Sequence, residues 1–241
     1  MKNILERLLA FVVLFLLTPL LSVFLLLIFL EDPSSSPIYV QQRVGKHGKL
    51  FRLYKLRSMR PLKSVNFTST SSKDPRILKT GRIIRKIKLD EIPQLVNIIF
   101  GTMSFVGPRP NVQVDVDLYT PYERTLLQYL PGITDPSSII FSDESSILEP
   151  YSSPDLAYNK LIRPWKNVFA LRYFKDNTSL TDFLVIILTF MSGINRVNAL
   201  RLVSKILKCP SNSIYSNVAK RSIPLEQVII DPPVSASSIS W

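Results

Sequence analysis

The sequence predicts an α+β chain, mostly helical, with a membrane helix at its N-terminus and a short β-hairpin after it. Three observations carry this expectation. Ile4 to Leu30 is almost wholly apolar, and about 20 apolar residues cross the hydrocarbon core of a bilayer. Two short runs, Pro37 to Gly45 and Leu50 to Arg57, flank the turn residues Gly45-Lys-His-Gly-Lys49 and read as paired strands. Beyond Lys79 the apolar residues recur at helical spacing.

The N-terminal run is broken only by Glu6, Arg7, Thr18, Pro19 and Ser22. No small-x-small cleavage site follows it, which argues against a removable signal peptide. Pro19 removes one backbone hydrogen bond and bends a helix. The Thr18 hydroxyl is expected to bond back to the freed carbonyl. From Arg43 to Lys88 fifteen residues are Lys or Arg, and Asp74 is the lone acid. So basic a block stays on the cytoplasmic side, and Lys2 and Arg7 place the other flank there too. Two cytoplasmic flanks favour a helix that dips into the bilayer and returns over one that crosses.

After the hairpin, Ser64 to Ser72 is Ser- and Thr-rich and reads as a loop. An amphipathic run ends at Lys88. Leu89 to Phe100 reads as a new helix with Pro93 in its first turn. Thr120 to Leu130, Leu156 to Tyr173 and the strongly apolar Leu180 to Ile194 read as further helices. The last of these fits a core helix or an interfacial membrane helix equally well. Pro136 to Pro154 reads as a loop or lid. From Lys205 onward the composition predicts a disordered tail.

Bulk properties narrow the chemistry. A chain of 241 residues accommodates one sizeable domain plus an anchor. Thirty Lys and Arg against eighteen Asp and Glu, a net charge of +12, imply anionic partners. A single cysteine, Cys209, excludes an internal disulfide and Cys-cluster metal sites. His47, the single histidine, sits in the hairpin turn, so Ser-His and Cys-His catalysis have no support. Carboxylates, cations and backbone remain. Asp90 and Glu91 follow a basic run and precede the rigid Gly107-Pro-Arg-Pro110 turn. At the positive end of a helix an ionised carboxylate gains roughly 0.3–1 kcal/mol. A metal-bound diphosphate fits such a place. A solvated helix start, or ion pairs to Lys86 and Lys88, is the plainer explanation of the pair.

Six motifs decide between these readings: Gln42-Arg-Val-Gly45, Tyr54-Lys-Leu-Arg-Ser-Met59, Asp74-Pro-Arg76, Leu89-Asp-Glu-Ile-Pro-Gln-Leu95, Gly101-Thr-Met-Ser-Phe-Val-Gly-Pro-Arg-Pro110 and Pro131-Gly-Ile-Thr134. In this order and spacing the chain resembles the bacterial sugar transferase family, small phosphoglycosyl transferases that load a phospho-sugar onto a polyprenyl phosphate. The resemblance runs from about Lys2 to Ile194. It implies a broken re-entrant membrane helix over 1–32, with Thr18-Pro19 as the break. A membrane-surface catalytic domain with amphipathic interfacial helices follows over 33–195, and a partly disordered extension over 196–241.

The resemblance also implies roles. Asp90 is the nucleophile that takes the phospho-sugar from a nucleoside diphosphate sugar, with UDP the implied nucleotide and UMP the product. Polyprenyl phosphate then accepts it. Mg²⁺ is the implied cofactor, with Asp90 and Glu91 the implied ligands, and a hard cation suits oxygen donors. Glu91 serves as catalytic residue either by helping to hold the metal or by assisting the second half-reaction. Arg109 is expected to bind the diphosphate, and Arg85 to line the site. Lys55 and Arg57 occupy family positions that line it, although a solvated strand face explains them nearly as well. Asp74 and Arg76 can pair with each other. The implied location is the cytoplasmic face of the inner membrane, with no nucleic acid partner; a homo-oligomer is left open.

Three positions depart from the family pattern. Ala10 lies where an Asp is usual, Thr102 replaces the usual Asp after Gly101, and Leu56 replaces the usual Phe. The competing class is a membrane-attached basic protein that binds anionic lipid or nucleic acid without catalysis. Asp90 and Glu91 speak against it, since carboxylates repel a phosphate backbone. The sugar and the glycan pathway are not encoded legibly; sugar selectivity is expected in Pro131 to Pro154.

Overall fold

The computed structural model describes residues 2–61 and 74–235, with side chains from Ile4 onward. The expected Ser64–Ser72 loop lies outside the described residues. Helix α1, Lys2–Glu31, is 30 residues long and apolar enough to cross a membrane by length and composition. Its inner stripe, Ala10, Leu14, Leu21 and Ile28, recurs at intervals of four and seven residues, one or two helical turns, and packs on the rest of the chain along the whole helix. Its outer face exposes Phe11, Phe15, Leu16, Leu26 and Leu30.

The expected break does not interrupt α1, which stays helical through Thr18 and Pro19. One missing hydrogen bond is tolerated because Leu14 and Leu21, on either side, are seated on the domain. Thr18 Oγ1 does donate backward, at 2.8 Å, but to the Leu14 carbonyl. Proline at 19 frees the carbonyl of Phe15 instead, so the expected partner was one residue off.

Both ends of α1 are tied to the domain. Near its start, Glu6 accepts from Ser104 Oγ at 2.6 Å. At its end, Glu31 accepts from the Lys79 and Thr80 amides, at 2.6 and 2.9 Å, and caps the next helix. Asp32 holds Arg57 at 3.1 Å.

Strands β1 (Ile38–Val44) and β2 (Leu50–Leu56) form the expected hairpin, antiparallel, with Tyr39 opposite Lys55 and Arg43 opposite Phe51. His47 sits exposed in its turn at φ 57°. Asp74 and Arg76 do pair, at 2.6 Å. Helix α2 (Lys79–Lys86) and left-handed Lys88 lead into a 3-10 turn over Leu89–Gln94, and α3 is only Leu95–Ile99. The expected 89–100 helix is therefore split in two, with Pro93 inside the 3-10 turn.

The segment 101–135 holds β3 (Ser104–Val106), α4 (Gln113–Asp117), a 3-10 turn at Glu123–Gln128 and β4 (Gly132–Thr134). β3 and β4 pair in parallel, a second small sheet that three-residue strands left invisible in the sequence. They approach so closely that a Cβ on Gly132 would lie 2.0 Å from the Gly107 nitrogen, so glycine is needed there.

Residues 136–154 are not a lid. Helices α5 (Pro136–Ile140) and α6 (Glu144–Leu148) bury Ile139, Ile140, Phe141 and Leu148 in the main core. Helix α7 (Pro154–Ala157) runs through a π turn at Tyr158–Ile162 into α8 (Arg163–Asp176), whose Trp165 and Phe169 centre that core. A Thr178–Thr181 capping box starts α9 (Ser179–Ile194). Val185 and Leu188 of α9 are buried, while Phe183, Phe190 and Ile194 are exposed.

The tail expectation fails up to Ser235. α10 (Arg196–Ile206), α11 (Ile214–Ala219) and a 3-10 turn at Leu225–Gln227 insert Val203, Val218, Ala219, Leu225 and Val228 into the main core. Trp165 Nε1 donates to the Val228 carbonyl at 2.9 Å. Polar composition masked these sparse apolar anchors. Residues 236–241 lie outside the described residues.

Candidate active site

The 3-10 turn carrying Asp90 and Glu91 packs against β2. Asn97 joins the two: its Nδ2 donates to the Arg52 carbonyl at 2.7 Å, and its Oδ1 accepts from the Tyr54 amide at 3.3 Å. That stitch presents Lys55, whose Nζ donates to Glu91 Oε1 at 3.0 Å. Sequence reasoning passed over Asn97, though a buried amide within an apolar run is a signal.

Arg109 reaches the same oxygen from the opposite side, Nη2 to Glu91 Oε1 at 3.1 Å. Its turn is pinned from both flanks. The Gly132 amide donates to the Pro108 carbonyl at 3.1 Å, and the Val44 amide to the Asn111 carbonyl at 2.9 Å. Arg43 Nη1 adds a bond to the Pro110 carbonyl at 3.3 Å. Even so, 41% of the Arg109 side chain is exposed, leaving donors for a ligand.

The two carboxylates differ. Burial opposes ionisation of Glu91, but Lys55 and Arg109 outweigh it and hold its carboxyl well below the usual range. Glu91 in turn raises the Arg109 guanidinium further. Asp90 accepts no hydrogen bond and forms no ion pair among the described residues. Burial pushes its carboxyl up, and Glu91 adds to this, against the pull of Lys55, Arg85 and Arg109. Asp90 is thus a partly desolvated carboxylate, without a partner among the described residues, in the field of Lys55, Arg85 and Arg109. Burial lowers the Lys88 ammonium, a cation next to the pair that sequence reasoning did not name as a site residue.

The structure brings Asp90, Glu91, Lys55 and Arg109 together. Arg85 donates to Met59 Sδ at 3.2 Å and acts on Asp90 through its charge. Arg57 is placed elsewhere, its guanidinium on the Asp32 carboxylate and carbonyl at the end of α1. The plainer alternative, ion pairs from Asp90 and Glu91 to Lys86 and Lys88, is not formed among the described residues.

Asp90 and the second oxygen of Glu91 are hard donors that fit a divalent cation such as Mg²⁺. Among the described residues no third acidic, His or Cys side chain joins them in a metal-sized cluster. Such a cation would complete its shell with water and phosphate oxygens. The departures from the family pattern are absorbed by packing. Ala10 is fully buried beside Leu53 and Ile98. Thr102 Oγ1 donates to the Asn97 carbonyl at 3.1 Å.

Asp90, without a hydrogen-bond or ion-pair partner among the described residues, thus lies beside two cations, Lys55 and Arg109, that are fixed on Glu91. The family described as bacterial sugar transferase matches residues 1–196, and the chain belongs to that family. It is 42% identical over 134 residues to a Bacillus subtilis protein provisionally named undecaprenyl-phosphate N-acetylgalactosaminyl 1-phosphate transferase, covering 55% of this chain and 70% of that one. It is 42% identical over 113 residues to the undecaprenyl-phosphate galactose phosphotransferase of Salmonella typhimurium, covering 40% of this chain. It is 35% identical over 138 residues to the UDP-glucose:undecaprenyl-phosphate glucose-1-phosphate transferase of Escherichia coli K12, covering 56% of this chain. The chain spans only 24% and 30% of these last two proteins.

Proposed function

We propose that this protein transfers a sugar 1-phosphate from a nucleoside diphosphate sugar, a UDP-sugar, to undecaprenyl phosphate or a similar polyprenyl phosphate. This is the first membrane step in building a surface polysaccharide or glycoconjugate. The observation that carries the reading is the asymmetry of the pair: Glu91 binds two cations, while Asp90 has no hydrogen-bond or ion-pair partner among the described residues. A carboxylate in that state serves as a nucleophile.

In the first step an Asp90 carboxylate oxygen bonds to the phosphorus that bears the sugar. The bond from that phosphorus to the nucleoside monophosphate oxygen breaks, and its electron pair leaves with UMP. In the second step an oxygen of polyprenyl phosphate attacks the same phosphorus, releasing Asp90 and forming polyprenyl diphosphate sugar. Lys55 and Arg109 hold Glu91 and face the transferred phosphoryl group, supplying fixed positive charge without reorganisation. Mg²⁺ bound by Asp90 and Glu91 would neutralise the diphosphate as the two anions approach.

The position of α1 supports membrane attachment from the cytoplasmic face. A helix seated on the domain along its whole length, and tied to it through Glu6 and Glu31, carries both its ends on the side where the domain lies. Its exposed outer face, with Phe183, Phe190 and Ile194 of α9, supplies apolar surface for one leaflet. The acceptor phosphate would then arrive at the height of Asp90.

The test is turnover of purified protein with Mg²⁺, polyprenyl phosphate and a panel of UDP-sugars. UMP release with one sugar, abolished in Asp90→Asn, is the expected result. Undiminished release by Asp90→Asn would remove the covalent assignment.

A further inference from the structure

A third carboxylate and a further cation approach the site from outside the motifs that define it. Lys166 of α8 donates from Nζ to Glu144 Oε2 of α6, and only 10% of its side chain is exposed. The ammonium lies 5.5 Å from the centroid of the Tyr158 ring, in the π turn that precedes α8. Arg109, Tyr158 and Lys166 line one open cleft, and Asp90 is not among its lining residues. Asp143, next to Glu144, is gripped by Arg196 at 2.7 Å and Arg221 at 3.6 Å, which fixes the start of α6. The charges interact across the site: Glu144 with Arg109 and Lys55, and Lys166 with Lys88.

A half-buried Lys–Glu pair is a poor way to gain stability, because desolvation of the ammonium offsets much of its attraction. An apolar pair would serve the core as well. We propose that Lys166 binds the phosphate of the departing nucleoside monophosphate, and that Glu144 is its resident counter-ion, displaced when the donor arrives. This rests on the transfer reaction proposed above and adds to it a ligand for the leaving group. In-line displacement places the leaving oxygen opposite the attacking Asp90 oxygen. Arg109 bonds Glu91, the neighbour of Asp90, and also lines the cleft, so the part of the donor beyond Arg109 meets Lys166.

The charge balance agrees. Lys55, Arg85, Lys88, Arg109 and Lys166 face Asp90, Glu91 and Glu144, leaving an excess of two positive charges. A diphosphate diester brings roughly two negative charges, and a positive excess at the site, to which any bound divalent cation adds, favours its entry. As the phosphorus–oxygen bond breaks, charge collects on the leaving phosphate, and Lys166 meets it without any proton transfer.

The test compares Lys166→Met, Lys166→Arg and Glu144→Gln in the full chain. Three quantities are measured: inhibition by uridine monophosphate, the rate of the first half-reaction, and the rate at which acceptor discharges the preformed adduct. Lys166→Met should weaken uridine monophosphate inhibition and slow the first half-reaction by about tenfold or more, the loss expected for one charge-assisted contact. Discharge to the acceptor should be nearly unchanged, and Lys166→Arg should recover part of the loss. Glu144→Gln removes the competing anion, so it should strengthen inhibition by uridine monophosphate. Opposite signs for the two variants support the proposal. Weakening in both, or no change in Lys166→Met, makes the pair structural and overturns it. Should Lys166→Met fail to fold, the sign in Glu144→Gln decides alone. Wild-type protein that neither binds uridine monophosphate nor turns over would overturn the transfer reaction itself, and the proposal with it.

Discussion

Arg109 and Glu91 meet at 3.1 Å through Glu91 Oε1, the same oxygen that holds Lys55 at 3.0 Å. One carboxylate oxygen thus fixes two cations from separate elements, and the neighbouring Asp90 bonds to none of the described residues. Replacing Glu91 by Gln leaves both cations facing each other without a counter-charge. The expected cost is about 1.5–3 kcal/mol of stability, from the loss of hydrogen bonds to charged groups. Denaturant unfolding at neutral pH measures it. The sign with pH follows from the lowered Glu91 carboxyl: its contribution is complete above the ordinary value of 4.5 and is lost as pH falls through the lower folded value. Wild type and Glu91→Gln should therefore converge in strong acid.

Asp90→Asn should act in the opposite direction on stability. Burial raises the Asp90 carboxyl above 3.8, so the folded state loses stability as pH rises through that window. The variant should be more stable than wild type at pH 7, with the difference vanishing below 3.8. Its turnover should fall by roughly 10³-fold or more, as for removal of a nucleophile. Melting temperature and UMP release on the same sample separate the two effects.

Asn97→Ala should loosen the seam between β2 and the Asp90 turn. Two backbone groups, the Arg52 carbonyl and the Tyr54 amide, lose their partner. Such losses cost about 1–3 kcal/mol each when buried. Turnover should fall with stability, because Lys55 rides on that strand. Thermal melts beside donor KM would show the two changes together.

Much of this arrangement is legible along the chain, and the exceptions have physical causes. The hairpin is announced by alternation around a glycine-bounded turn, and α9 by a sustained apolar run. Asp90, Glu91 and Arg109 are visible because contiguous motifs surround them. Lys166 and Glu144 are 22 residues apart with no motif between them, and the packing of α5, just before α6, on α8 brings them together. The lid and tail expectations failed for one reason. Ser-, Asp- and Pro-rich composition was weighed above a few well-spaced apolar residues, namely Ile139, Ile140 and Leu148 in one segment and Val218, Leu225 and Val228 in the other.

The C-terminal segment is therefore part of the fold, although the family match ends at residue 196. Leu225 is 3% exposed in the main core. Leu225→Ala should destabilise by about 2–5 kcal/mol, as buried leucine truncations do. Removal of residues 207–241 should yield insoluble or protease-sensitive protein. Limited proteolysis checks both.

Attachment to one face of the membrane is tested by cysteine labelling in a Cys209→Ser background. Single cysteines at Lys2 and Lys46 should both react from the cytoplasmic side alone. Reaction from opposite sides would mean that α1 crosses.

The most direct measurement is intact-protein mass spectrometry, followed by peptide mapping, after incubation with Mg²⁺ and the matching UDP-sugar without acceptor. The account predicts one added sugar phosphate on Asp90, discharged on adding polyprenyl phosphate. Steady turnover with no adduct, or an adduct on any other residue, would contradict it.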